Sequence, residues 1–289
     1  MKKSSPVFTY VLSMSVFGTI GLFVKSIPLP SGEVALCRAV LAVALIGLFL
    51  IVKRQKIPFS KIKKELPLLF ISGAAMGFNW IFLFEAYKYT TVSAATLSYY
   101  FAPVAVTVVS PFLFKERLTI KNIVCFVFAT VGIVLVTGLD TAAEKSHLKG
   151  ILFGLCAALL YASVIIINKY IKNIGGIHRT FMQFIAASAV LLPYVLMTDG
   201  VSFYTLSPVP ALLLFTVGIL HTGITYCLYF GSLGKISGQR AAILSYIDPL
   251  VAVILSVTVL GEPMSLAQLI GGIMILGFTL INEIPSKKQ

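Results

Sequence analysis

The chain has 289 residues, of which 58% are hydrophobic and only 11% charged, and its mean hydropathy is +0.98. Soluble domains carry about 25% charged residues to cover their surface, so a soluble enzyme or a nucleic-acid-binding domain is excluded and an integral membrane protein is indicated. The formal charge of +13 does not point to a phosphate backbone, because the basic residues fall between apolar runs, where they act as topology signals.

A helix that crosses a bilayer needs roughly 20 apolar residues. The sequence predicts ten such helices, over 7–27, 32–52, 66–87, 90–113, 118–138, 148–170, 178–198, 208–230, 237–259 and 264–283. The opening Met1-Lys-Lys and the run behind it have the start of a signal peptide. That run is long, however, and ends in Lys25-Ser-Ile-Pro-Leu-Pro without a small-residue cleavage site, so it is read as the first membrane helix. The longest connectors, 53–65 and 139–147, leave no room for a soluble domain. The period-two alternation of barrel strands is absent from these runs. With a cytoplasmic N-terminus, 18 of the 23 lysines and arginines lie on the inner side; Lys25, Lys88, Lys145 and Lys149 lie outside and Arg38 within a span. The positive-inside rule therefore predicts both termini in the cytoplasm. Cys37, Cys125, Cys156 and Cys227 all sit in apolar runs without metal-ligand spacing, which indicates neither a zinc site nor a disulfide framework.

The chain also contains itself twice. A shift of 146 places Phe84 on Phe230, Ala95 on Ala241, Tyr100 on Tyr246, Pro103 on Pro249 and Glu116 on Glu262. Shifts of 144 and 145 place Phe17 on Tyr161, Lys25 on Lys169 and Arg38 on Gln183. Five helices per half is an odd number, so the second copy enters the membrane upside down. Inverted repeats of this kind belong to secondary transporters, whose substrate site lies near the midplane between the halves. The expected architecture is all-α, ten membrane helices in two repeats, 1–140 and 146–289.

The segment Phe84-Glu-Ala-Tyr-Lys-Tyr-Thr-Thr-Val-Ser-Ala-Ala, continuing to Tyr100-Phe-Ala-Pro103 and Lys115-Glu-Arg-Leu-Thr119, resembles the EamA domain of the drug/metabolite transporter superfamily. So do Ser245-Tyr-Ile-Asp-Pro249, Leu260-Gly-Glu-Pro-Met-Ser265 and Gln268-Leu-Ile-Gly-Gly272. The likeness covers nearly the whole chain; the first half departs from it with Lys115-Glu-Arg in place of Gly-Glu-Pro. The resemblance implies a ten-helix metabolite transporter of the cytoplasmic membrane, often an exporter of amino acids or related small molecules.

A charge at the centre of a membrane helix costs roughly 2.5–3.5 kcal/mol, so each one needs a reason. Asp248 lies about eleven residues, or ~16 Å, into the ninth helix, close to the midplane. It reads either as a partner for a substrate ammonium or proton, or as a protonated or capping carboxyl beside Pro249. His221, central in the eighth helix, reads either as a coupling group or as a neutral histidine bonded to a neighbouring helix. Arg38 reads either as the holder of a substrate carboxylate or as a structural partner of Glu33 or Glu85. Glu85 and Lys88 form an interfacial i,i+3 pair. Trp80 shares a stripe with Gly73, Met76, Gly77 and Phe84, while the adjacent Asn79 faces elsewhere. Tyr99, Tyr100, Tyr161, Tyr226 and Tyr246 all lie at mid-depth, away from the interfacial belts where tyrosine collects, and together predict an aromatic-walled polar cavity. Pro103 and Pro249 should bend their helices at matching places and act as hinges or as static kinks. Glu116 and Glu262 are read as structural, with Ser265 and Gln268 as a capping box.

No Walker phosphate loop, HExxH or GxSxG motif is present. The expectation is therefore a carrier without cofactor or metal, working as a monomer in the bilayer. It moves a small polar or zwitterionic metabolite, and Arg38, Asn79, Trp80, the five tyrosines, His221 and Asp248 form its binding site. Asp248 and His221 are the coupling candidates. The alternative is an exporter of cationic drugs or amines by proton antiport; a channel or a membrane scaffold fits less well.

Overall fold

The computed structural model describes residues 5–55, 59–114, 119–137, 145–198 and 200–283. It is a helical bundle, with no strand among the described residues. The segments in chain order are α1 (Pro6–Lys25), α2 (Ser31–Val52), α3 (Phe59–Tyr89), α4 (Val92–Tyr99 and Ala102–Phe114), α5 (Ile120–Thr137), α6 (Lys145–Tyr170), α7 (Gly176–Met197), α8 (Pro208–Leu233), α9 (Gly238–Ser245 and Ile247–Thr258) and α10 (Leu266–Glu283). Eight segments are long and apolar enough to cross a membrane; Ile243–Thr258 and Leu266–Asn282 are apolar but shorter. Leu48, Ile51, Phe112, Leu159 and Met197 project exposed from the bundle. A surface of that kind belongs in hydrocarbon.

Four segments are not regular α-helices, and three of the irregularities have a local cause. In α4 the helix breaks at Tyr100-Phe101, and in α9 it breaks at Tyr246. Both breaks lie a few residues before a proline, Pro103 and Pro249. A proline ring crowds the carbonyl four positions earlier and leaves it without its N–H partner, so the disruption falls ahead of the ring. Both helices are thus interrupted, about one turn earlier than the prolines themselves. In α1 the chain breaks at Thr19, whose hydroxyl donates to the carbonyl of Val16 at 2.8 Å. In α8 the run Val217–Ile224 is π-helical, which nothing in the hydrophobic pattern foretells.

The helices meet in a definite set of neighbours. α1 packs on α8 and α9, and α6 packs on α3 and α4. α2 packs on α8, and α7 on α3. α2 meets α7, α4 meets α9, and α5 meets α10. Glycine decides the closest crossings. Ideal Cβ atoms on Gly132 and Gly271 would lie 2.7 and 2.5 Å from each other's backbone carbonyl oxygens, so α5 and α10 touch backbone to backbone. Gly73 meets the Gln183 carbonyl of α7 in the same way, at 2.4 Å.

Candidate functional site

A cavity of about 400 Å³ occupies the middle of the bundle. Its walls come from α1 to α4 and α6 to α9, and neither α5 nor α10 reaches it. Arg38, Asn79, Trp80, Tyr99, Tyr100, Tyr161, Tyr226 and Asp248 all line it, as does Pro103. The adjacent Asn79 and Trp80 both reach the wall, contrary to the expectation that they diverge. A stripe at α-helical spacing is wide enough to admit two neighbours at its edges. Gly73 and Gly77 of the expected stripe turn away instead, against Gln183 and Leu191 of α7.

Arg38 is held from two sides. Its Nε donates to Thr222 Oγ1 at 2.7 Å, and its guanidinium carbon lies 4.2 Å from the Trp80 ring centroid. Neither expected acidic partner takes part. Glu33 instead accepts from the backbone N–H groups of Ser202 and Phe203, both at 2.6 Å, and from the Ser202 hydroxyl. Glu85 pairs with Lys88 at 2.9 Å, as the i,i+3 spacing suggests. The π-helical stretch explains how Thr222 is presented: its hydroxyl donates to the carbonyl five residues back, Val217, at 2.9 Å and still accepts from Arg38. Such π-turns often occur at functional positions.

Asp248 stands in the first turn after the α9 break, and its Oδ2 accepts from the Tyr100 hydroxyl at 2.7 Å. Tyr100 itself sits at the α4 break, 6.3 Å ring to ring from Tyr246 at the α9 break. The two interrupted helices therefore meet where the carboxyl is. Among the described residues a phenol is the partner observed for Asp248, and no capping bond to backbone near Pro249 is found. Trp80, Phe184 and Tyr226 form an edge-to-face chain with centroids 5.3 and 5.2 Å apart, and Tyr99 stacks on Tyr161 at 5.3 Å. Rings in this arrangement give a rigid apolar lining with hydroxyls at defined points.

Two expected cavity residues, His221 and Tyr246, stand apart from the cavity, as does the hinge candidate Pro249. His221 is buried in the π-helical segment, with Nε2 2.7 Å from Thr19 Oγ1 and Nδ1 3.2 Å from the Thr216 carbonyl oxygen. Both ring nitrogens are occupied within the bundle, which matches the structural reading of this histidine. Tyr246 and Pro249 are buried behind the cavity wall. Glu116 lies outside the described residues. Glu262 is not a cap of its own helix: it pairs with Lys25, and its Oε2 accepts from the backbone N–H of Val92 at 2.7 Å. Ser265 and Gln268 do form the expected capping box, at 2.9 and 3.1 Å.

The sequence reading missed Tyr10, Phe17, Tyr87, Asn168, Arg179, Gln183 and Tyr229 of the wall. A signal existed for Gln183, because it is the repeat partner of Arg38. Its Nε2 donates to Ser72 and to Asn168, both at 2.8 Å, a bond from α7 to α3 that parallels Arg38 reaching from α2 to α8. Arg179 carries no sequence signal beyond that of one inner-side arginine, since its place at the start of α7 gives no hint that the chain folds it into the cavity wall.

The chain shares its architecture and sequence with known proteins. It is 30% identical over 98% of its length to the uncharacterized transporter YxxF of Bacillus subtilis, covering 91% of that protein. It is 31% identical to an uncharacterized transporter of Archaeoglobus fulgidus, covering 94% of this chain and 93% of the other. It is 26% identical to a "Probable amino-acid metabolite efflux pump" of Salmonella typhimurium, over 80% of this chain and 79% of that one. A crystal structure at 19% identity superposes with a TM-score of 0.62 over 96% of this chain and 95% of its own, which shows a common fold. The EamA-like transporter family matches residues 4–138 and again 148–283. With that double match across a bundle of apolar helices, the chain is a multi-pass protein of the cell membrane and belongs to the EamA-like transporter family.

Proposed function

We propose that this transporter is a secondary carrier that moves a small zwitterionic metabolite, an amino acid or a close relative, across the cytoplasmic membrane, with export as its working direction. The observation that carries this reading is the pairing of opposite chemistry in one cavity. Arg38 offers a fork of donors to a carboxylate, and Asp248 offers an acceptor to an ammonium, on walls of aromatic rings. About 400 Å³ suits a small solute rather than a large drug, at the low end of the range for ligand sites. The relative named for amino-acid metabolite efflux supports the same class.

The mechanism we infer is alternating access by two inverted repeats, residues 1–140 and 146–289, with both termini cytoplasmic and a single chain sufficient. The helix neighbours support it: exchanging α1–α5 with α6–α10 converts α1·α8 into α6·α3, α1·α9 into α6·α4 and α2·α8 into α7·α3. It leaves α2·α7, α4·α9 and α5·α10 unchanged. All of these are observed pairs. The breaks at Tyr100-Phe101 and Tyr246 are the natural hinges, Pro103 and Pro249 setting their position. We assign coupling to Asp248 rather than His221, whose ring nitrogens are both engaged away from the cavity. Export of cationic drugs is the second reading, with Asp248 as sole partner. Two arginines on the wall, Arg38 and Arg179, weigh against it.

Counterflow in proteoliposomes tests both, with radiolabelled neutral amino acids on one arm and tetraphenylphosphonium on the other. Saturable exchange of an amino acid, lost in Arg38→Gln, is expected. Asp248→Asn should retain its fold and lose the pH dependence of that exchange. Movement of the cation alone would overturn the substrate class, and an unchanged pH profile in Asp248→Asn would overturn the coupling role.

A further inference from the structure

The central cavity ends at Tyr87, and Tyr87 is also the floor of a second cavity. That second space, about 260 Å³, is lined by Lys25, Ile27, Ser31, Phe84, Tyr87 and Lys88 among others. It lies at the end of the bundle where α1 finishes, the α3–α4 corner turns, and α9 gives way to α10. The wall residues nearest this end, Tyr87, Thr96 and Arg38, are 3, 3 and 5% exposed. At the opposite end the wall residues Asn168, Arg179, Phe230 and Leu233 are half-buried. The central cavity is therefore sealed on the Tyr87 side and accessible on the other.

One carboxylate organises the seal. Glu262 pairs with Lys25 at the end of α1, accepts from the Val92 N–H at the start of α4, and accepts from the Ser256 hydroxyl near the end of α9. Ser256 in turn accepts from the Ser93 N–H at 3.2 Å, and the Lys25 ammonium also donates to the Thr90 carbonyl at 3.4 Å. These bonds tie the first half to the second directly above Tyr87. Glycine closes the remaining gap: a Cβ on Gly21 would lie 2.5 Å from Val92 Cγ1 and 3.3 Å from the Tyr87 ring. Yet the piece of α1 that carries these contacts is only Ile20–Lys25, separated from the rest by the break at Thr19. Six residues beyond a break can move as a unit without disturbing Pro6–Gly18.

We infer that Tyr87 and the Lys25–Glu262 pair are the gate at this end of the path, and that the 260 Å³ space is its second mouth. Parting Lys25 from Glu262 lets Ile20–Lys25 swing about Thr19 and lifts Gly21 off Tyr87, which joins the two cavities. The ammonium so released faces the mouth and offers a cation to a solute carboxylate arriving or leaving there. In sequence, the pair has counterparts at matching places of the two repeats, Lys169 for Lys25 and Glu116 for Glu262. The inference rests on the carrier reading above, but its test needs no solute.

The probe is a membrane-impermeant maleimide applied to sealed vesicles from the face that bears the corner 259–265. The reporter is Thr96→Cys, a cavity-wall position beyond Tyr87, with the rate of the Thr96 parent subtracted to remove the native cysteines. With the gate intact, labelling is slow. Lys25→Gln should raise the rate about tenfold, while Lys25→Arg, which keeps the pair, should stay near the starting value. Lys25→Gln leaves the Glu262–Val92 bond in place, so it tests the gate without unfolding the start of α4. An unchanged rate in Lys25→Gln, or an equal rise in Lys25→Arg, would overturn the proposal. Failure of the carrier reading would show elsewhere, as absence of solute exchange by the unmodified protein whatever the labelling rates.

Discussion

Gly18 is where α1 crosses α9, and replacing it by alanine measures how much the cavity depends on that crossing. An ideal Cβ at this position lies 2.4 Å from the Asp248 carbonyl oxygen and 2.7 Å from Val251 Cβ. Ordinary contact is about 3.5–4.0 Å between carbons, so the two helices must separate by about 1 Å. One obstacle is backbone, which cannot rotate aside. Overpacking of this kind costs about 1–3 kcal/mol. The retreat also stretches the bond from the Tyr10 hydroxyl to the Ala241 carbonyl, 3.1 Å in the parent, and draws Phe17 from its edge contact with Tyr226 at 5.1 Å. The assay is equilibrium unfolding in mixed micelles, with Gly277→Ala as the control. A Cβ at Gly277, inside α10, meets no atom within 4 Å, so alanine there should be neutral or stabilising by up to about 1 kcal/mol. Adding Val251→Ala to Gly18→Ala removes only the Val251 Cγ1 contact at 3.0 Å and should recover only part of the loss, because the Asp248 carbonyl and the Cβ of residue 251 remain in the way. If Gly18→Ala is as stable as Gly277→Ala, the close approach of α1 to α9 is not a constraint and the reasoning fails.

Thr222→Val removes the acceptor of the Arg38 Nε and should cost about 1.5–3 kcal/mol as a lost bond to a charged group, with Thr222→Ser close to the parent; the same unfolding assay decides. Arg38→Lys should weaken binding of a neutral amino acid by at least about tenfold in a thermal-shift titration, since an ammonium cannot both reach Thr222 and fork onto a carboxylate. Cysteine scanning should label position 161, on the cavity wall, and leave position 275 unlabelled, because Ile275 is buried against α5 in the packing of α10. Ser265→Ala should cost about 1 kcal/mol through loss of the capping box, with no effect on labelling at position 161.

Much of the fold was readable because it rests on short-range chemistry. Apolar runs of bilayer length have few alternatives to helix when no water is present to satisfy the backbone. Pro103 and Pro249 interrupt their helices through their own rings, and Ser265 with Gln268 caps through bonds three residues apart. The mid-depth Tyr99, Tyr100, Tyr161 and Tyr226 were legible as a set because burying phenols in hydrocarbon demands a shared polar space. The partners were not legible. Arg38 with Thr222, Tyr100 with Asp248 and Lys25 with Glu262 are separated by 184, 148 and 237 residues. Composition cannot say which acid a buried arginine meets, and here, among the described residues, Arg38 settles on a hydroxyl and the Trp80 face instead. Arg179 gives only a topology signal in the sequence, and His221 is left open between a coupling group and a structural histidine. Only the π-helical stretch of α8 and the break at Thr19 decide that the histidine turns toward α1 while Thr222 turns toward Arg38. The sequence by itself determined a membrane-embedded helical repeat protein with polar groups at mid-depth. Tertiary structure alone decided which of them face one another, because a side chain's direction depends on the rotation of its helix, and that rotation is set by backbone contacts at glycines distant in sequence.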